Sequence, residues 1–324
     1  MLTPRENLLE TINFGNPEYM PFTGECIYTC GLPLLQYLEQ PRQNGPDPYG
    51  IRWVITPAGA MHDTTVPPLL DDIENWRDVV KIPDISQIDF KAAAEAEMKN
   101  VDRTQKAIAF YSTCGCYERL AAYMGFENAL IAMAEDPEES RAFMEAITDH
   151  KIEIANKLID AYDLDIYYNF DDIATANNLF ISPTTYREVI KPCHERLAKA
   201  ITDRGVIFGE HTCGKCEDLL EDYVEIGTKI WHSAQTMNDL KGIQEKFHGR
   251  LTIEGGWDSS GRPGCVDATV DEIRDETIRC MEDYGKKGGF ILCPLMFNER
   301  GNALIVGDDR TSVVFEEWEK RRFF

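Results

Sequence analysis

Short apolar runs alternate along this chain with longer stretches in which apolar residues recur every three or four positions. The short runs are rich in β-branched and aromatic residues, which is typical of buried strands, and the longer stretches have the spacing of amphipathic helices. The predicted strands are MPFTGECIY (20–28), KAIAFYST (106–113), LDIYYNF (164–170), GVIFGEH (205–211), TKIWHSA (228–234), RLTIEGGW (250–257) and GGFILCP (288–294).

Two of the helical stretches have clear boundaries, at residues 136–162 and 182–205. Ser182 suits the N-cap of the second helix, Pro183 suits its first turn, and Gly205 suits its end. Strands that alternate with helices of this length pair in parallel through right-handed crossovers. The pattern therefore predicts an α/β fold built on a parallel sheet.

The length of 324 residues suits one large α/β barrel. We predict a single (β/α)8 TIM-type barrel domain spanning residues 1–324, with seven strands recognised and the eighth not located. One stretch interrupts the alternation. Residues 47–70 predict an added β-hairpin, with TPAGA (56–60) at its turn. There is no linker, internal repeat or low-complexity segment to suggest a second domain.

The composition narrows the classes of partner. A formal charge of −23 argues against binding to nucleic acid or to an anionic membrane surface. The chain has no apolar run near the ~20 residues that a membrane span needs, and its first residues lack the pattern of a signal peptide. We therefore expect a cytoplasmic protein. In that compartment the ten cysteines are expected to be thiols or metal ligands rather than disulfides.

The stretch GVIFGEHTCGKC (205–216) contains the strongest chemical signal. Residues i and i+2 of a strand point to the same side, so His211 and Cys213 project together at the carboxyl end of a predicted strand. Active sites of parallel barrels lie at that end. Imidazole and thiolate are zinc ligands, and a catalytic zinc takes three protein ligands with one open position. Cys293, just before Pro294 at the end of another strand, is the candidate third ligand.

Other assignments of the same residues stay open. Cys216 competes with Cys293 as third ligand, and Cys213 with Cys216 also forms the C-x-x-C spacing of a redox pair. Glu210 and Glu254 lie close to strand ends and could fill a coordination position.

Longer segments of the chain resemble the uroporphyrinogen decarboxylase superfamily, and in particular its corrinoid-linked methyltransferase branch. The resemblance implies a (β/α)8 barrel with its site at the carboxyl-terminal mouth. It extends from Thr3 to about Pro294. The segments that show it are TPRENLLETINFGNPEYMPF, DPYGIRW, PLLDDIENWRDVVKIPD, AFYSTCGCYERLAAYMGFENALIAMAEDPE, NFDDIATANNLFISPTTYREVIKP and GEHTCGK.

The resemblance covers two activities, and the residues favour one of them. The decarboxylases act on a substrate with eight carboxylates and have paired arginines just after the first strand. Here that region reads FTGECIYTCGLPLL (22–35) and contains no Arg or Lys, so bidentate recognition of carboxylates is missing. The methyltransferases have a H-x-C pair and a late cysteine that bind zinc. The resemblance therefore implies His211, Cys213 and Cys293 as ligands, although Cys293 precedes Pro294 where relatives place the cysteine after the proline.

The function implied by the resemblance is zinc-dependent methyl transfer between a small methylated substrate and the cobalt of a corrinoid. We expect the corrinoid on a partner protein, because no segment here could hold it. Aromatic residues near the expected mouth favour a methoxylated aromatic substrate, that is, an O-demethylase. The alternatives are a methylcorrinoid-to-thiol (coenzyme M type) methyltransferase, a zinc hydrolase, a non-catalytic zinc-binding barrel and, least favoured, a decarboxylase. A homodimer is compatible with these functions.

The strand ends supply further candidate site residues. We expect Asp171 and Asp172 to protonate a leaving group or to orient a zinc ligand, and Glu25 to lie at the floor or rim of the pocket. Residues predicted to contact substrate or cofactor are Tyr167, Tyr168, Trp257 and Glu254. Cys114 and Cys116 are weaker candidates. The histidines expected to have no chemical role are His62, His150, His194 and His248.

Overall fold

The strands of the computed structural model form one parallel sheet and two small antiparallel sheets. The structure describes residues 1–39, 44–56, 59–285, 288–297, 303–304 and 309–323. Its strands are β1 (Ile27–Thr29), β2 (Gly45–Pro46), β3 (Arg52–Thr56), β4 (Gly59–His62), β5 (Ala107–Ser112), β6 (Ile166–Phe170), β7 (Ile207–His211), β8 (Ile230–Ala234), β9 (Thr252–Gly256), β10 (Phe290–Cys293), β11 (Met296–Phe297) and β12 (Ala303–Leu304).

Helices connect the strands and cover the outside of the parallel sheet. They are α1 (Pro4–Ile12), α2 (Thr23–Cys26), α3 (Leu35–Leu38), α4 (Trp76–Val79), α5 (Phe90–Met98), α6 (Cys116–Met124), α7 (Phe126–Glu135), α8 (Pro137–Tyr162), α9 (Pro183–Thr185), α10 (Lys191–Thr202), α11 (Leu220–Glu225), α12 (Leu240–Lys246), α13 (Val270–Tyr284) and α14 (Asp309–Arg321). Short 3₁₀ turns lie at Ile73–Asn75, Glu217–Leu219 and Arg262–Gly264, and a π-helical segment, Tyr186–Ile190, joins α9 to α10. The predicted caps at Ser182 and Pro183 are confirmed. Among the described helices, none is long and apolar enough to cross a membrane.

The parallel sheet confirms the predicted TIM-type α/β barrel. Its seven strands lie in chain order, β1-β5-β6-β7-β8-β9-β10, and every pairing is parallel. Between β10 and β1, Phe22 forms a single parallel bridge with Leu292, and the Leu292 N–H donates to the carbonyl of Pro21. This bridge lies where an eighth strand would close the barrel. That the whole chain forms one domain stays a prediction.

The first predicted strand, 20–28, is wrong over much of its length. Residues 23–26 form α2, in which the N–H groups of Glu25 and Cys26 both donate to the carbonyl of Phe22, and the strand begins only at Ile27. The helical turn takes the chain from the edge of β10 to the edge of β5. Local sequence does not encode that step, because it depends on where the two sheet edges meet.

Alternate strand residues point into the barrel or out to the helices, as strand geometry requires. The barrel interior is packed by Leu8, Ile12, Cys26, Ile27, Ala107, Ala109, Ile166, Tyr168, Ile230 and Ile291. Their strand neighbours Ile108, Phe110 and Tyr167 pack instead in the layer between sheet and helices. This alternation decides which residues at the strand ends can reach the mouth.

The predicted hairpin is confirmed and has a third strand. β3 and β4 pair antiparallel from Trp53↔His62 to Thr56↔Gly59, and β2 pairs with β3 on the other side. Residues 57–58, in the predicted turn, lie outside the described part of the chain. The small sheet is fastened to α6 by a buried ion pair between Asp47 and Arg119.

Candidate metal and active site

The carboxyl ends of β6 and β7 bring three potential metal ligands together. Phe170 of β6 pairs with His211 of β7, so the residues that follow the two strands leave the sheet side by side. Asp172 and Cys213, each two residues beyond this pair, point to the same side as Phe170 and His211. The ligand atoms of Asp172, His211 and Cys213 all lie within 4.8 Å of one another. We call these three residues the mouth cluster.

Two distances within the mouth cluster are close to those between ligands of a tetrahedral metal. Cys213 Sγ lies 3.2 Å from His211 Nε2, and Asp172 Oδ1 lies 3.6 Å from the same nitrogen. Zinc–ligand bonds of about 2.0–2.3 Å in a tetrahedron place neighbouring donor atoms about 3.3–3.8 Å apart. The Cys213 N–H donates to Asp172 Oδ1 over 2.6 Å, which fixes the carboxylate beside the thiol.

The electrostatics of the mouth cluster also suit a cation. Burial lowers the pKa of His211 well below its ordinary value, and the neighbouring His232 adds to this, so the imidazole is neutral and able to ligate. Burial raises the pKa of the Cys213 thiol well above its ordinary value, and the Asp172 carboxylate raises it further. A thiolate at this position therefore needs a nearby positive charge, which a bound metal supplies.

A second group of potential ligands lies inside the barrel next to the first. His232 of β8, Glu254 of β9 and Cys293 of β10 also have ligand atoms within 4.8 Å of one another, and all three are buried. Cys293 Sγ lies 3.7 Å from His232 Nε2. The two groups meet where His211 Nδ1 and His232 Nδ1 approach to 2.6 Å. We call His232, Glu254 and Cys293 the inner cluster.

The predicted ligand set is thus divided between the two clusters. The structure brings His211 and Cys213 together but places Cys293 beyond His232, in the inner cluster, whereas Asp172 joins His211 and Cys213. Cys216, the competing candidate, is buried and its thiol faces the carbonyl of Thr212. The strand pairing explains this division, because β10 is separated from β7 by two intervening strands.

Asp171 lies on the opposite side of the strand end from Asp172. It is fully buried and accepts hydrogen bonds from the backbone N–H groups of Tyr117 and Glu118, at 3.1 and 2.9 Å, in the first turn of α6. His194 Nε2 lies 2.9 Å from the same carboxylate. These contacts occupy Asp171 away from the mouth, which corrects its predicted role in proton transfer.

His194, expected to have no chemical role, belongs to this buried network. Its neighbours Asp171 and Glu210 raise its pKa to about 9 against the opposing effect of burial. Cys116 Sγ lies 3.4 Å from Asp171, so Cys116, Asp171 and His194 form a further potential ligand group. Because the carboxylate is already bonded to two backbone N–H groups, we assign the group to fastening α6 and α10 to β6.

Glu210 also faces the helices rather than the mouth. It is fully buried beside Asn169, which donates to Glu210 Oε1 over 2.9 Å. Burial raises its pKa to about 7. Its strand position, one residue before His211, directs it to the outer layer. The structure therefore does not bring it into either cluster.

The other predicted site residues fall in different places. Tyr168 lies inside the barrel, stacked on Tyr111 with ring centroids 4.5 Å apart, and its hydroxyl lies 2.6 Å from Glu254. Tyr167 and Trp257 are buried in the outer core layers, one residue out of phase with the lumen. This corrects their predicted place at the mouth.

Glu25 lies far from its predicted place. It is on α2, ahead of β1, and the Lys106 ammonium, just before β5, donates to its carbonyl oxygen. Both residues precede their strands, so Glu25 lies at the amino ends of β1 and β5 rather than at the carboxyl-terminal mouth. Its half-buried carboxyl group has a raised pKa because of desolvation.

The sequence interpretation missed His232. It lies within the predicted strand TKIWHSA and has no predicted role. The available signal was a histidine in the middle of an otherwise apolar strand, two residues after Ile230. Residues two apart share a face, so an interior Ile230 implies an interior His232.

Aromatic rings pack against the mouth cluster. The ring of Phe170 stacks on His211, with centroids 3.7 Å apart and an interplanar angle of 5°. Tyr111 contacts Phe170 edge-on at 5.7 Å. Phe170 therefore holds the imidazole plane from one side.

Comparison with known proteins places this geometry in a family. The model of the family described as uroporphyrinogen decarboxylase (URO-D) matches residues 59–294. A methylated-thiol–coenzyme M methyltransferase from Methanosarcina mazei is 33% identical over 125 residues, which is 36% of this chain and 32% of that protein. The chain thus matches only about a third of the length of this relative.

The fold comparison agrees over the full length. A solved structure of a methyltransferase from Methanosarcina mazei superposes with a TM-score of 0.69 and 14% sequence identity, covering 99% of each chain. At that identity the likeness concerns the fold alone. The relatives found by sequence and by structure are both methyltransferases, and the family model covers most of the chain. The chain belongs to the uroporphyrinogen decarboxylase (URO-D) family.

Proposed function

We propose that this protein is a zinc-dependent methyltransferase that exchanges a methyl group between a small sulfur compound and the cobalt of a corrinoid held by a partner protein. The observation that carries the proposal is the mouth cluster, in which an imidazole, a thiol and a carboxylate converge at the carboxyl end of the barrel strands. Three protein ligands leave one position of a tetrahedral zinc open to substrate, as in catalytic sites.

The ligands that we propose are His211 Nε2, Cys213 Sγ and Asp172 Oδ1. When bound there, zinc would act as a Lewis acid that lowers the pKa of a thiol or hydroxyl group placed in its open position. His211 is held flat by Phe170, and Asp172 is held by the Cys213 N–H, so the chain fixes the ligands without further rearrangement. Asp172 is half-exposed at the mouth, where substrate would enter.

A sulfur substrate is favoured over a methoxylated aromatic. The predicted aromatic pocket relied on Tyr167, Tyr168 and Trp257. Tyr167 and Trp257 pack in the outer core, and the Tyr168 hydroxyl is bonded to Glu254 of the inner cluster. Zinc with a thiolate ligand is a soft centre that suits sulfur. The relative from Methanosarcina mazei acts, by its name, on methylated thiols, which supports the same class of substrate.

A corrinoid partner would balance the reaction. Transfer from a methyl sulfide breaks a carbon–sulfur bond, leaves its electron pair on sulfur and needs a nucleophile to take the methyl group. In the reverse direction, a thiol needs a methyl donor. Cob(I)alamin and methylcobalamin fill these two roles, and free cobalamin can replace the partner protein in an assay.

The proposal is tested by metal content and by methyl transfer. Zinc per chain is measured for the wild type and for Asp172→Ala, His211→Ala, Cys213→Ser, Cys216→Ser and Cys293→Ser, with the exposed Cys265→Ser as matched control. Transfer is followed by the visible absorbance of cobalamin, with dimethyl sulfide and cob(I)alamin in one direction and 2-mercaptoethanol with methylcobalamin in the other. A methoxyphenol is the competing substrate.

We expect about one zinc per chain in the wild type and in the Cys216 and Cys265 variants, with loss in the Asp172, His211 and Cys213 variants. Activity with the sulfur compounds should follow the zinc. Zinc that persists without Asp172 but is lost without Cys293 would replace Asp172 by Cys293 as third ligand. A wild type that binds no zinc, or that demethylates only the methoxyphenol, would contradict the proposal.

A further inference from the structure

The rings of His211 and His232 are close enough for a hydrogen bond and too close to share one metal ion. Their Nδ1 atoms lie 2.6 Å apart. Two donors of one tetrahedral zinc lie about 3.3 Å apart or more, so these nitrogens cannot share a metal without separating. A hydrogen bond is therefore the interaction at this distance, and one of the two nitrogens must carry the proton.

The surroundings determine which nitrogen donates. His211 Nε2 faces Cys213 Sγ and Asp172 Oδ1 in the mouth cluster, and ligation requires that nitrogen to be free of a proton. A neutral His211 then carries its proton on Nδ1 and donates it to His232 Nδ1. His232 in turn carries its proton on Nε2, which faces the inner cluster.

The inner cluster places a carboxylate near His232. One carboxylate oxygen of Glu254 lies within 4.8 Å of a ring nitrogen of His232 and of the Cys293 sulfur. Glu254 is fully buried, and the hydroxyls of Thr23 and Tyr168 each lie 2.6 Å from one of its oxygens. The carboxylate is thus held by two hydroxyl groups. His232 Nε2 lies 3.7 Å from Cys293 Sγ, so this nitrogen faces the inner cluster to which Glu254 belongs.

We propose that His232 is a positioning residue that acts through His211: it accepts the His211 Nδ1–H, holds the imidazole in the tautomer that presents Nε2 to the metal, and is itself oriented by buried Glu254. This inference rests on the proposed function, since it assumes a metal at the mouth cluster. It adds a chain from Glu254 through His232 to His211 that crosses the neighbouring strands β9, β8 and β7. Partners of this kind behind a metal-binding histidine typically raise its metal affinity 10- to 100-fold.

The test compares substitutions that keep or remove the acceptor. His232→Asn keeps an acceptor, because Oδ1 of asparagine occupies the position of Nδ1, but its amide is a poor zinc ligand. His232→Leu removes the acceptor. Glu254→Gln removes the carboxylate behind His232, and His248→Leu is the matched control, since His248 is exposed. Affinity for Zn²⁺ is measured by competition with a chromophoric chelator, and the Co²⁺-substituted proteins are compared by absorption spectroscopy.

We expect His232→Leu to weaken Zn²⁺ binding about 10- to 100-fold, with His232→Asn close to the wild type and Glu254→Gln between them. The thiolate-to-Co²⁺ charge-transfer band should persist in all of them, because Cys213 still ligates. Thermal unfolding with chelator present identifies any variant that fails to fold. If His232→Leu does not fold, the Zn²⁺ affinities of His232→Asn and Glu254→Gln test the inference instead.

Two results would overturn the inference while leaving zinc methyl transfer intact. One is equal Zn²⁺ affinity in His232→Leu and the wild type. The other is a His232→Asn variant as weak as His232→Leu with a changed Co²⁺ coordination spectrum, which would make His232 a direct ligand. If instead the wild type itself does not bind Zn²⁺ through His211 and Cys213, both this inference and the proposed function fail.

Discussion

Replacing Asp171 and replacing Asp172 should have opposite consequences, although the two residues are adjacent in the chain. Asp171→Ala removes a buried carboxylate that accepts from two backbone N–H groups of α6 and lies 2.9 Å from His194. Each buried donor left without an acceptor costs about 1–3 kcal/mol, and loss of one partner of a buried charged network costs about 3–5 kcal/mol. We expect a loss of about 3–5 kcal/mol in the free energy of unfolding.

Asp172→Ala removes a half-exposed carboxylate with one backbone hydrogen bond, from the Cys213 N–H. The expected loss of stability is about 1 kcal/mol or less. Zinc binding should change in the reverse order, with the Asp171 variant close to one zinc per chain and the Asp172 variant depleted.

The assay is urea unfolding followed by circular dichroism, in chelator so that metal binding does not add to stability, with zinc content measured separately on metal-loaded protein. An Asp171 variant as stable as the wild type would refute the assignment of Asp171 to the α6 junction. An Asp172 variant that loses more stability than the Asp171 variant would refute the separation of the two faces.

Three further predictions follow from the buried network and the added sheet. Asp47→Ala leaves Arg119 buried without its carboxylate and should lower the free energy of unfolding by about 3–5 kcal/mol in urea, whereas Arg52→Ala, at an exposed pair, should change it by less than about 1 kcal/mol. His194 has a pKa of about 9 in the fold against an ordinary 6.5, so its protonation stabilises the fold fully below pH 6.5 and this is lost as the pH rises to 9. The midpoint temperature of thermal unfolding, measured in chelator, should therefore fall more between pH 6.5 and 9 for the wild type than for His194→Asn. An equal fall in the two proteins would contradict this. Gly115→Ala should destabilise α6, because a Cβ there would overlap the carboxyl group of Asp171; an unchanged urea midpoint would show that the contact relaxes freely.

Most strands of the parallel sheet and the long helix α8 could be predicted because their signals are local. β5 to β10 follow from short apolar runs ended by polar residues, and α8 follows from its periodicity and its cap at Asp136. The prediction of a strand at residues 20–28 was wrong because α2 connects the edge of β10 to the edge of β5. The spacing between these two sheet edges determines that connection, and residues 20–28 do not encode it. The added hairpin was recognised, but its third strand, β2, was not.

The pairing of His211 with Cys213 could also be predicted, since a strand places alternate residues on one face whatever surrounds it. That same rule could not choose between Asp171 and Asp172, because both follow the strand and its phase at the end depends on contacts with α6. The sequence also did not show which face of the strand end Tyr167 and Trp257 occupy. Both were predicted at the mouth, but their side chains pack in the outer core.

The sequence by itself determined the parallel barrel, its acidic character and the presence of an imidazole and a thiol at one strand end. Only the tertiary structure decided which residues from other strands meet them. His232, Glu254 and Cys293 come from three different strands, and their grouping depends on the parallel register of β8, β9 and β10. That register is set by packing of the whole barrel, so no local pattern in the chain could contain it.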